Sequence, residues 1–117
     1  MANFMLLLHE TPTDFTQLSA EEIQHVIGEY VAWRNGVAAN GQLVGSNKLT
    51  FDAGKHLVMN DGQLRVTDGP FTESKEIIGG YFIVSAADYD EAVGISQSCP
   101  HLKYGGRIEL REVETRP

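Results

Sequence analysis

The chain has 117 residues, one cysteine, and nine basic against sixteen acidic residues, for a formal charge of −7. That length fits a single domain, so residues 1–117 are expected to fold as one unit. The acidic balance, with no basic run, argues against a nucleic-acid partner, which needs clustered Lys and Arg. A lone thiol cannot form an internal disulfide and suits a reducing compartment. The apolar run at residues 5–8 is too short for a signal segment or a membrane span. The expected setting is therefore cytoplasmic, with no membrane partner.

Residues 4–9 read as a first strand with apolar side chains on both faces, Phe4, Leu6 and Leu8 on one and Met5 and Leu7 on the other. A polar loop with Pro12 follows. Ser19 and Glu22 have the spacing of a capping box. The helix after them carries Ile23, Val26, Ile27, Tyr30, Arg34 and Val37 at helical spacing, with Val31 and Trp33 at the edges of the stripe. It should end near Asn40 and Gly41, because glycine suits the left-handed position after a helix.

Residues 42–51 read as a second extended segment. Residues 56–59 and 64–67 flank Asn60, Asp61, Gly62 and Gln63, and Asp-Gly between two strand-like runs predicts a hairpin. Asp68, Gly69, Pro70 and Phe71 then start a loop. Gly79 and Gly80 open a strand over 81–86, again apolar on both faces. Asp88 caps a second helix with Tyr89, Ala92, Val93, Ser96 and Cys99 inward, and Pro100 ends it. Residues 107–113 alternate, Ile108 and Leu110 inward, as a half-buried strand at or near an edge.

This order predicts an α+β, ferredoxin-like antiparallel sheet with two helices on one face and an inserted hairpin. Two helices cover one face only, yet two strands are apolar front and back. A second copy of the chain is the economical cover, so a homodimer is expected.

Residues 68–76 read Asp-Gly-Pro-Phe-Thr-Glu-Ser-Lys-Glu, and Ile78, Gly79, Gly80, Tyr81 and Phe82 follow. This block resembles the DGPF group of the YCII-related family, with weaker likeness at residues 41–45, 88–92 and 107–113. The resemblance implies a ferredoxin-like fold whose sheets pair as a dimeric α/β barrel. It also implies proteins mostly without an assigned reaction, some found beside alternative sigma factors. Members of the wider family carry a helical His and an Asp before a Pro, proposed as a catalytic pair. Tyr30 and Cys99 stand at those positions here. A phenol and a thiol cannot act as a His–carboxylate pair at neutral pH without large pKa shifts. Whether the chain is an enzyme therefore stays open.

The ligand-binding candidates are Tyr30, Trp33, Arg34, Asp68 and His101. Aromatic side chains on a helix's sheet-facing side are usually core. An inward Arg34 needs a carboxylate, backbone or ligand partner, or else snorkels to solvent; over a pocket it would suit an anion. Asp68, with Glu73 and Lys75, could rim a pocket, although the same block also reads as a turn whose Phe71 plugs the core edge. His25 lies opposite the apolar stripe and should be solvated, while His9 and His56 fall at strand ends. A lone histidine such as His101 is more often a surface or capping residue, and Cys99 reads as a small buried hydrophobe.

The histidines show no metal spacing, so no metal or cofactor is expected, and a haem- or metal-dependent oxygenase lacks a well-placed ligand. The favoured function is small-molecule binding in a cleft between helix one, the sheet and the partner subunit. The alternatives are a non-catalytic accessory or regulatory protein, and an enzyme of unknown reaction. A cavity holding Arg34 and Asp68 would favour binding; a filled, dry interior would favour the accessory role.

Overall fold

The computed structural model describes residues 1–11, 18–52, 54–68 and 76–115. The elements are β1 (Ala2–Glu10), α1 (Ala20–Ala39), β2 (Leu43–Lys48), β3 (Lys55–Asn60), β4 (Gln63–Asp68), β5 (Ile77–Ala86), α2 (Tyr89–Ser96), α3 (Pro100–Lys103) and β6 (Arg107–Glu112).

Local chemistry sets the boundaries. Ser19 Oγ accepts from the Glu22 amide at 3.1 Å, and the Glu22 carboxylate accepts from the Ser19 amide at 3.2 Å, closing the capping box. Gly41, at φ 72°, ends α1 and donates to the Ala38 carbonyl at 2.9 Å. Asp88 caps α2 by accepting from the Glu91 amide at 2.9 Å.

Four strands form one antiparallel sheet in the order β2-β5-β1-β6. Each crossover, β1–α1–β2 and β5–α2–β6, leaves one strand between the two it joins, which is the split βαβ of a ferredoxin-like plan. The register sets Phe4 opposite Val84, Leu6 opposite Phe82 and Leu8 opposite Gly80. These residues share the face that carries the core, with Val37, Ala86, Ala92 and Cys99 packed upon it. Both longer helices cover this face. The Trp33 ring meets Phe82 at 4.9 Å between centroids, and Tyr89 meets Phe4 at 4.8 Å. The opposite face pairs Met5 with Ile83 and Leu7 with Tyr81, all half-buried. Neither α1 nor α2 lies on it.

β3 and β4 form a separate hairpin. Its turn residues Asp61 and Gly62 both have positive φ, 51° and 77°, which a type I′ turn requires. Leu57 faces Val66 and Met59 faces Leu64, so four exposed apolar side chains share one hairpin face.

Several expectations need correction. α2 stops at Ser96, and Pro100 begins the short α3 instead of ending α2. Proline lacks an N–H, so the first turn of a helix suits it, and the chain has a third helix where two were expected. Val93 is 52% exposed and turned outward; Tyr89 is partly exposed but lays its ring on Phe4, and the buried residues of α2 are Ala92 and Ser96. Gly79 and Gly80 lie inside β5 instead of ahead of it, because neighbouring groups occupy the space a side chain would need. A Cβ on Gly79 would overlap the Glu10 carboxylate, and one on Gly80 would lie 2.9 Å from the Asn47 carbonyl oxygen. The predicted loop block at 69–75 lies outside the described residues.

Candidate functional site

Beneath α1 the apolar stripe divides. Trp33 and Val37 face the core, while Ile23, Val26, Ile27, Tyr30, Val31 and Arg34 line an open cavity of about 590 Å³. On the sheet side Phe82 packs under Trp33, while the side-chain space of Gly79 and Gly80 is taken by the Glu10 carboxylate and the Asn47 carbonyl oxygen. Leu8, Glu10, Gly80 and Phe82 form part of the lining on the sheet side, with Ser46 and Lys48 along β2.

His101 reaches into this cavity from α3 and is only 3% exposed. Its Nε2 lies 2.8 Å from the His9 carbonyl oxygen, and its Nδ1 lies 2.9 Å from the Tyr30 hydroxyl. A carbonyl can only accept, so Nε2 carries a hydrogen and donates. In the neutral ring Nδ1 then accepts from the Tyr30 hydroxyl. Burial, reinforced by the nearby Cys99 and Glu10, pushes the Tyr30 phenol well above the ordinary tyrosine range, which keeps it a donor. Gly106 makes room for the ring, since a Cβ there would overlap it. The reading of His101 as a surface histidine is thus corrected: it is a buried, doubly hydrogen-bonded group.

Glu10 is 7% exposed, and its Oε1 has no hydrogen bond. The Lys48 ammonium lies 3.9 Å from that oxygen, too far for a hydrogen bond but close enough to attract. Lys48 itself donates to the carbonyls of Leu49 and Gly79, at 3.3 Å each, and sits 4.3 Å above the Phe51 ring. Arg34 is exposed at the rim and donates from Nε to Ser46 Oγ at 3.0 Å. It snorkels outward instead of pointing inward.

The cavity therefore gathers Tyr30, Arg34 and His101. Trp33 stands in the core layer against Phe82 and donates to Ser98 Oγ at 3.0 Å, without lining the cavity. Asp68 ends the hairpin, exposed and paired with Lys55, and does not line the cavity either. Sequence reasoning missed Glu10 and Lys48. Glu10 was visible in principle, because an acid two residues beyond Leu8 continues the inward parity of Phe4, Leu6 and Leu8.

His25, His9 and Cys99 have structural roles. His25 is exposed and pairs with Glu29 at 2.9 Å. His9 pairs with Glu76 at 3.3 Å and Glu109 at 2.9 Å. Cys99 is buried in the core, and burial pushes its thiol up to about 11, so it is a neutral packing group at physiological pH. Among the described residues no group of three His, Cys, Asp or Glu side chains could hold a metal, and no helix is long and apolar enough to cross a membrane.

A split-βαβ α+β chain with a cleft between its first helix and its sheet is the class these observations define. The sequence profile of the YCII-related domain matches residues 2–115, and the chain belongs to that family. No curated protein matches it.

Proposed function

We propose that this protein is a homodimer whose cleft beneath α1 binds a small, mostly apolar molecule. The observation that carries the reading is the cavity itself. Its volume of about 590 Å³ falls among ligand sites, which span roughly 300–1,000 Å³. Its walls are chiefly aliphatic and aromatic, with a few polar groups to orient a guest. Apolar contact supplies affinity at roughly 25 cal/mol per Å² before the cost of immobilisation.

Dimerisation draws support from the helix-free face centred on Met5, Leu7, Tyr81 and Ile83, which a second sheet would cover. The block at residues 68–76 is the reason to place the chain in the DGPF group. Light scattering should give twice the protomer mass at micromolar concentration; a stable lone protomer would overturn the dimer.

Thermal shift against a library of small apolar acids, alcohols and amines tests binding. A ligand at a hundred times its Kd stabilises by about 2.7 kcal/mol. No shift from any member would refute the reading. An accessory role exerted through the surface alone gains nothing from an open cavity.

A second reading, an acid–base enzyme, has one specific observation behind it. Tyr30 and His101 form a relay in which a guest could give a proton to the Tyr30 oxygen while the phenolic proton passes to His101 Nδ1. Deuterium uptake from solvent into a bound guest, lost in Tyr30→Phe, would support it; no uptake in the wild type would remove it.

A further inference from the structure

We infer that the cleft selects monoanions: an aliphatic or aromatic body that lies inward, with one carboxylate held by Arg34 at the rim. This rests on the reading of the cleft as a ligand site and narrows it to a chemical class.

Charge is the first argument. The charged residues lining the cavity are Glu10, Arg34 and Lys48, which sum to +1 on a chain whose formal charge is −7. A monoanion neutralises that balance. Partnering is the second. Lys55, Lys103, Arg107 and Arg111 each have a carboxylate within 3.3 Å; among the described residues the ion pairs use neither Arg34 nor Arg65, and of these two Arg34 is the one that lines the cavity. Its Nε bond to Ser46 steadies the side chain along β2 and leaves the outer nitrogens to a guest. A guanidinium fork matches a carboxylate in two parallel hydrogen bonds.

Glu10 sets the orientation. It is buried, while Arg34 and Lys48 are exposed, so an anionic head is repelled from the inner end and drawn to the rim. Leu8, Val26 and Phe82 are left to receive the body. An amine would meet the opposite field at the rim, although Glu10 could still attract it.

The test is isothermal titration of the full chain with octanoate, octanol and octylamine, which share one body and differ in the head. Octanoate should bind about tenfold more tightly than octanol, as a charge-assisted hydrogen bond at a solvated site allows, and octylamine most weakly. Arg34→Gln, on an exposed helix position, should erase the advantage of octanoate and leave octanol unchanged; Arg34→Lys should keep part of it. Added salt should narrow the gap. Octanol or octylamine binding as well as octanoate, or a preference that survives Arg34→Gln, overturns the anion selectivity and leaves the cleft reading standing. Failure of all three to bind overturns both.

Discussion

Gly106→Ala sets a general gain against a local clash. Gly106 has no positive φ, and at such positions Gly→Ala normally stabilises by about 0.4–1 kcal/mol by restricting the unfolded chain. Here the new methyl would overlap the His101 ring, with Cδ2 and Cε1 each 2.5 Å from it. The ring cannot retreat without breaking its bonds to Tyr30 and His9. Two hydrogen bonds at about 1 kcal/mol each, with some of the roughly 1–3 kcal/mol for buried groups left unpaired, outweigh the gain. The expected net loss is about 2–3 kcal/mol, read in urea as a lower midpoint at unchanged slope. Gly36→Ala is the control. Nothing lies within 4 Å of its added Cβ, and in the last turn of α1 it should stabilise by up to about 1 kcal/mol. In the double variant with His101→Ala the two losses should not add. A Gly106→Ala chain as stable as the wild type would refute the boxed position of His101.

Tyr30→Phe removes the donor to His101 Nδ1 and should cost about 1–2 kcal/mol, with a changed nitrogen shift for that atom in NMR; an unchanged shift would contradict the bond. Cys99 should resist iodoacetamide at about pH 8 in the native chain and react once unfolded. Its folded-state thiol lies at about 11 against an ordinary 9.0, so its contribution to stability is intact below about pH 9 and is lost as pH rises toward 11; fast native labelling would refute its burial. Glu29 is held below the ordinary carboxylate value of 4.5, first by the Tyr104 hydroxyl and then by Lys103, at 2.6 and 3.0 Å. A depressed folded pKa gives stability present above the ordinary value and lost as pH falls through the folded one. The stability difference between wild type and Glu29→Gln should therefore shrink on acidification below about pH 4.5, and a difference independent of pH would contradict the pairing.

What could be read in the sequence was mostly local. Ser19 with Glu22, Gly41, Asp61 with Gly62, and Asp88 each fix a boundary through neighbours a few residues away, so their chemistry is visible in the linear chain. The strand parity of Phe4, Leu6 and Leu8 marks the core face, and the chain order of strands and helices predicts the ferredoxin-like plan. The cleft was harder to see. Helical spacing gives the direction of Ile27, Val31 and Arg34 but not their distance from the sheet, and the residues across the cavity from them, Glu10 and Phe82 among them, come from strands remote in sequence. His101 follows Pro100 in a short helix, and its partners Tyr30 and His9 are remote in sequence. Asp68 was placed by its neighbours in a block of turn residues, whereas the hairpin that carries it determines where it goes.

Methyl-resolved NMR with octanoate or octanol, whichever binds, tests the cleft most directly. The account predicts saturable shifts of the Ile23, Ile27 and Val31 methyls, with cross-relaxation from the octyl chain to them, and no change at Leu57 or Leu64 on the hairpin. Shifts confined to the hairpin methyls, or none at α1 at saturating ligand, would contradict it.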